Sequence, residues 1–226
     1  MSPPEPFTVI TRVPIPARLS PSAVLAALHA YEPLIKANPY LDRYERRHVT
    51  ADDVAGDSLF FSPDHYLEND DNGGHGAANP NHHPEDPNLQ GFVVYDRVPI
   101  IPGLGSWASK EVAVPCIFQR SAHGVRCRAD AVGGVTVRSR YEVRRRGEIA
   151  DADDGGHPVA HDGDGDGDDD GGAYELVDIS SIECGALVRP FVKLRFSSGH
   201  QEILRRVVDE VMHAQAAAAA GPQSGR

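Results

Sequence analysis

The spacing of apolar and polar positions changes period along the chain, and each change marks a change of element. Phe7 to Ile15 (FTVITRVPI) is rich in β-branched residues and ends at Pro14 and Pro16, which cannot donate to a ladder, so a short first strand is predicted. Ser20 followed by Pro21 predicts an N-cap and a first helical position. Val24, Leu25 and Leu28 then share one helical face, and Pro33 within Tyr31 to Asn38 forces a restart. Two short helices ending at Asn38-Pro39 follow from this.

From Asp42 the period is two, weakly in Asp42 to His48 and in Ser58 to Phe61, and clearly further on. In Val135 to Arg146, Val135, Val137, Ser139, Tyr141 and Val143 take one face while Thr136, Arg138, Arg140, Glu142 and Arg144 take the other. Val125, Cys127 and Ala129 alternate in the same way with Arg126, Arg128 and Asp130, and Gly133-Gly134 between the two segments suits a tight hairpin turn. Phe92 to Ile101 and Trp107 to Gln119, joined by Pro102-Gly103-Leu104-Gly105, add a further pair, and Tyr174 to Cys184 is a last strand, for seven in all besides the weak Ser58 to Phe61 stretch. After Gly185 the pattern turns helical again: Val192, Phe196, Ile203, Leu204, Val207, Val208, Val211 and Met212 form a stripe that needs a sheet face to cover it. The predicted fold is α+β: a seven-stranded curved antiparallel sheet, two short helices after strand 1, and a long C-terminal helix packed on the sheet.

Charge divides the chain into a body and two insertions. Residues 63–90 and 147–173 hold 6 and 10 acidic residues and no Lys or Arg, which accounts for the whole net charge of −11 and leaves the remainder mildly basic. They are predicted to be disordered acidic insertions in a single domain of residues 1–213. Residues 214–226 are expected to be a disordered Ala/Gly-rich tail, although Ala214 to Ala220 have the propensity to extend the helix before Gly221-Pro222 ends it. Acidic balance argues against nucleic acid as a partner. Three cysteines, Cys116, Cys127 and Cys184, fall in alternating apolar segments and make an odd count, which fits reduced thiols in the cytosol. No signal peptide and no spanning segment are expected, transient membrane contact is left open, and a monomer without a cofactor is anticipated.

The order of elements resembles the START-like, or helix-grip, superfamily, which includes plant pathogenesis-related allergens, steroid-transfer domains and aromatic polyketide cyclases. FTVITRVPIPARLSPSAVLAALH near the start, YDRVPIIPG at 95–103, and YELVDISSIECGALVRPFVKLRFSSGHQEILRRVVDEV near the end are similar to a fungal START-like family of unknown function. The resemblance covers nearly all of the chain apart from the insertions and tail. It implies a curved sheet gripping the final helix around a cavity for an apolar or amphipathic small molecule, and it brings no catalytic signature that can be carried over.

The inward phase of the strands supplies Cys116, Phe118, Cys127, Ser139, Tyr141, Ser180 and Ile182 as candidate lining, and the helix adds Phe191, Leu194 and Phe196. The plainer alternative is a packed core whose hydroxyls bond one another. Tyr141 is the one candidate catalytic donor; Asp96, Arg97 and His123 are the other polar residues considered, and Asp96 and Arg97 must take opposite faces of a regular strand. Asp162 to Asp170 (DGDGDGDDD) opens like a calcium loop, but its twelfth position is Ala173, and a solvated linker is the better reading. His75, His82, His83, His157 and His161 sit among Gly, Asn and Asp residues, so no metal site is expected. Arg126, Arg128, Arg138, Arg140, Arg144, Arg145 and Arg146 are read as one solvated sheet face paired across strands with Asp130 and Glu142, with docking on an anionic partner, an acidic headgroup or the acidic insertion as alternatives. The expected function is binding or carriage of a small apolar or amphipathic ligand, whether lipid, sterol or polyketide-like. A cofactor-independent cyclase or isomerase and a non-catalytic scaffold are the alternatives.

Overall fold

Strand β1 (Phe7–Pro16) pairs antiparallel with β7 (Gly171–Glu183), the last strand of the chain, so the sheet places its two sequence extremes side by side. The computed structural model describes residues 5–61, 89–99, 109–147 and 171–220. Between the two strands the chain passes through α1 (Pro21–His29) and α2 (Glu32–Lys36) to the far edge at β2 (Leu41–Arg47) and then through α3 (Ala51–Ala55). It returns strand by strand through β3 (Leu89–Pro99), β4 (Ser109–Ser121), β5 (Gly124–Ala131) and β6 (Val135–Arg145), and closes with α4 (Arg189–Ala220). The curved sheet runs β1-β7-β6-β5-β4-β3-β2, every neighbouring pair antiparallel.

The expected hairpin between β5 and β6 is present, with Gly133 and Gly134 at φ of 87° and 70°, a region open to glycine and costly for residues with a Cβ. The helix restart also occurs where Pro33 requires it. Its pivot is Tyr31, at φ 61°, a strained conformation offset by burial of its ring against Phe92 and Phe118, with centroids at 6.4 and 5.5 Å.

The core lies on the sheet face covered by α1, α2 and α4. Val13, Ile15, Phe92, Val94, Phe118, Val125 and Leu176 meet Val24 and Leu28 of α1, Leu34 and Ile35 of α2, and Leu204, Val207, Val208 and Val211 of α4. Each such side chain removed from water contributes about 1.5–3 kcal/mol before the entropy of ordering it, so the buried stripe of α4 is what fixes the helix on the sheet. The helix continues through Ala214 to Ala220, so the expected tail begins no earlier than residue 221, beyond the described residues.

Two readings need correction. Ser58 to Phe61 is not a strand: α3, opened by a capping box between Thr50 and Asp53, leads into turns that lie on the outer face of the sheet, where Val49, Phe61 and Ile117 form a second small core. Four alternating residues are too few to separate a strand from a turn that buries one side. The arginine-rich face is therefore partly covered rather than simply solvated. Asp57 pairs with Arg128 at 2.9 Å and Arg138 at 2.8 Å, and Arg126 donates to the carbonyl of Phe60 at 2.8 Å. Beside them Arg128 pairs with Asp130 and Arg144 with Glu142, each along its own strand rather than across strands as expected. Leu89, Gln90 and Gly171 to Ala173, at the ends of the segments expected to be insertions, belong to strands. The interiors of those segments, with the Asp162–Asp170 run and the five histidines, lie outside the described residues, as does the 102–105 turn between β3 and β4.

Candidate functional site

Strand register converts alternating positions into rows of side chains across the inner face. One row crosses β1, β7, β6 and β5 as Thr11, Asp178, Tyr141 and Val125. The next row is Val9, Ser180, Ser139, Cys127 and, on β4, Phe118. Hydroxyls, a carboxylate and a thiol thus collect at the centre of a sheet face otherwise lined by aliphatic and aromatic side chains. Asp178 and Ser180 have no exposed surface, and Ser139, Tyr141 and Thr11 are buried.

Helix α4 completes the cluster from above. Phe196 and His200 are four residues apart, so both project from one side of the helix, and their rings stack with centroids 3.7 Å apart. The imidazole lies parallel to the Tyr141 ring at 6.2 Å. Its Nδ1 donates to Oδ2 of Asp178 at 2.5 Å and is 3.4 Å from the Tyr141 hydroxyl. On the other carboxylate oxygen, Ser180 Oγ donates to Asp178 Oδ1 at 2.8 Å, so the 2.6 Å contact between the serines is completed by Ser139 donating to Ser180. The hydroxyl oxygen of Thr11 is buried in the same row with no hydrogen-bond partner.

This environment fixes protonation where its effect is largest. Burial, reinforced by the neighbouring Asp178, pushes the Tyr141 phenol well above its ordinary range and outweighs the opposing influence of Ser139, so Tyr141 remains a neutral donor at physiological pH. The Cys127 thiol is likewise raised, by its hydrogen bond with Cys116 and by burial, and stays protonated. An imidazole whose Nδ1–H is committed to Asp178 presents Nε2 as its lone-pair nitrogen when neutral, which is the orientation a proton acceptor needs.

Of the expected lining residues, Cys116, Phe118, Cys127, Ser139, Tyr141, Ser180 and Ile182 are all buried on the inner face, and Phe196 is half-buried against His200. Phe191 and Leu194 are not placed there: they are 73% and 76% exposed. Helical geometry explains the error, since Leu194 and Phe196 are about 200° apart around the axis and cannot both face the sheet. His123 is exposed in the β4–β5 turn. Asp96 is the inward member of its pair, bonded to Asn38 at 2.7 Å with its carboxyl raised by burial, whereas Arg97 pairs with Asp42 at 2.8 Å; no hydrogen bond joins either to the central cluster. Asp178, His200 and Thr11 are the members of the site that the sequence reading passed over. Asp178 shares the parity of Ser180 and Ile182, and His200 lies one turn beyond Phe196, so both positions carried a signal. Among the described residues no group of three or more His, Cys, Asp or Glu is placed to hold a metal ion.

A seven-stranded sheet wrapped on one long terminal helix, with a polar cluster between the layers, defines a helix-grip protein of the α+β class. Residues 4–213 match the family model described as Domain of unknown function (DUF7053), and the chain belongs to that family. No curated protein matches it. Among solved structures, the di-domain ARO/CYC StfQ from the steffimycin biosynthetic pathway is similar at 8% identity and TM-score 0.50, over 93% of this chain and 53% of that one. The di-domain ARO/CYC BexL from the BE-7585A biosynthetic pathway gives 8% identity and TM-score 0.49, over 90% of this chain and 49% of that one. TTHA0849 from Thermus thermophilus gives 11% identity and TM-score 0.43, over 92% and 98% of the two chains. The chain spans about half the length of the two di-domain proteins, and the likeness to StfQ is one of fold.

Proposed function

We propose that the protein binds a small, mostly apolar molecule carrying a carbonyl or hydroxyl oxygen between the sheet and the first half of α4. The observation that carries this is the Asp178–His200–Tyr141 cluster inside an apolar layer. Polar groups cost stability when buried and are dispensable for closing a sheet on a helix, so a role in recognising a polar atom accounts for them. Tyr141 supplies a permanent donor, and the unpartnered Thr11 hydroxyl adds capacity on the other side of Asp178. Phe118, Ile182 and Phe196 supply the apolar contact. Lipids, sterols and polyketide-like molecules share this chemistry, and the helix-grip frame held in common with StfQ makes the sheet–helix interior the place to look for it.

Native mass spectrometry of the gently purified chain, with chemical identification of any adduct, is the direct test. The expected result is an apolar small-molecule adduct whose affinity falls about tenfold in Tyr141→Phe, the loss of one hydrogen bond in a dry site. A bare mass, together with no binding of fatty acids, sterols or aromatic polyketides, would mean that the layer is solid and the chain a scaffold.

One geometric feature favours a second reading, cofactor-independent cyclisation or isomerisation of the same ligand. Asp178 holds His200 Nδ1–H, which orients Nε2 to accept a proton while Tyr141 donates to an oxygen. Product formation from the identified ligand, lost in His200→Gln at retained binding, separates enzyme from carrier.

A further inference from the structure

The start of α4 presents to solvent what a folded protein normally hides. Leu187, in the turn before the helix, is 92% exposed, and Phe191 and Leu194, three residues apart on one side of α4, follow at 73% and 76%. Leu59 and Val132 are the other strongly exposed large aliphatics among the described residues, and each stands singly, which is ordinary. Three large apolar side chains within one short stretch of chain are not. Arg195 stands beside Phe191 and Leu194, Arg189 and Lys193 lie on the opposite side of the helix, and residues 185–201 contain no Asp or Glu, in a chain whose net charge is −11. No carboxylate among the described residues pairs with these three cations. Arg189 and Lys193 lie over the ring of Phe7, each 5.0 Å from its centroid, which ties this end of the helix to the edge strand β1.

We propose that the 187–195 segment is a docking surface for an anionic lipid bilayer. Apolar side chains at helical spacing with Arg195 at their border match the two layers such a surface offers, acyl chain below and phosphate above, and Arg189 and Lys193 add positive charge from the far side of the helix. Each basic residue strengthens association with an anionic surface about fivefold, and burial of Phe191 and Leu194 adds more. The chain's own acidic stretch at 148–170 satisfies only half of this surface: it matches the charge, but beyond Ile149, Val159 and alanines it has no side chains to cover Phe191 and Leu194. The same turns of α4 carry Phe196 and His200 on their inward side, so a docked bilayer lies one helix diameter from the interior cluster. The surface stands on exposed residues and holds whether or not the interior takes a ligand.

Co-sedimentation of the full-length chain with phosphatidylcholine vesicles, with and without phosphatidylserine, tests it. The chain is expected to sediment with the phosphatidylserine vesicles and much less with phosphatidylcholine alone, and to be released by salt. Phe191→Ser with Leu194→Ser, and separately Arg195→Glu, should each lower binding more than about tenfold without moving the melting temperature, because all three side chains are exposed. Unchanged binding in the serine pair overturns the proposal. So does binding that appears only after residues 148–170 are removed, which would make that acidic stretch the resident occupant of the surface.

Discussion

Nδ1 of His200 on α4 lies 2.5 Å from Oδ2 of Asp178 on β7, in a bond that joins the helix to the sheet beneath a stacked Phe196 ring. Because Asp178 has no exposed surface, the two residues are energetically dependent on one another. His200→Leu leaves a buried carboxylate oxygen unpaired and should cost about 2 kcal/mol or more of unfolding free energy. Replacing Asp178 in the same chain removes the group that suffers, so the double variant should fall short of the summed single losses by about 1 kcal/mol or more. Urea unfolding of the four proteins measures that coupling; additivity would show that the bond contributes nothing to the fold.

The three cysteines offer an independent probe of how closed the interior is. Cys116, Cys127 and Cys184 are buried as free thiols, and Cys127 is held protonated by Cys116 and by burial. Since the thiolate is the reactive form, labelling by a thiol reagent at neutral pH should be at least about a hundredfold slower than in denatured chain, with all three sites becoming reactive together in urea. Fast labelling of Cys127 in the native state would reveal an open path from solvent to the centre of the sheet.

Much of the layout was legible because it rests on local chemistry. Gly133-Gly134 fixed one hairpin, Pro33 located the break between α1 and α2, and the alternation of Val135 to Val143 told which face of β6 is dry. What was missed depends on tertiary partners. A stripe built from apolar residues alone omits His200, although it lies one turn beyond Phe196, and Asp178 is acceptable in the interior only because a helix arriving later supplies its donor. Phe191 and Leu194 fail for the opposite reason: their hydrophobicity suggested burial, while their angular position on the helix excludes it. Ser58 to Phe61 was unreadable as a strap because Asp57, its anchor, is fastened by arginines far along the chain.

That strap should be labile to acid. Asp53, held by Arg47 and capping α3 at Thr50, has its carboxyl lowered to about 2 from an ordinary 3.8. Burial raises the Asp57 carboxyl, but hydrogen bonds from Arg138 and Arg128 outweigh this and leave it lowered. A carboxyl depressed by folding contributes stability that is complete above its unfolded value and is lost as pH falls toward the folded one. Unfolding free energy should therefore drop from about pH 5 to about pH 2, and Asp53→Asn with Asp57→Asn should flatten that slope while lowering the plateau. Urea titrations at several pH values give both quantities, and an unchanged slope in the double variant would place the acid sensitivity elsewhere.

The sharpest steric prediction falls at Gly124, the first residue of β5, opposite Glu142 and next to the pair Val125–Tyr141. A Cβ at this position would stand 1.8 Å from the backbone oxygen of Tyr141 and 2.8 Å from its carbonyl carbon, and neither can move without breaking the ladder between β5 and β6. The carbonyl of Gly124 also lies 3.1 Å from Nε2 of His29, so a shift of β5 would disturb α1 as well. Gly124→Ala should therefore cost about 3 kcal/mol or more, at the top of the range for overpacked interiors, and should displace the Tyr141 phenol from His200. Gly134→Ala is the matched control: its Cβ meets nothing, and only the φ of 70° opposes it, so a cost of about 1 kcal/mol is expected. Thermal unfolding ranks the two variants, and equal losses would mean that the β5–β6 pairing beside Tyr141 yields more readily than this close approach implies.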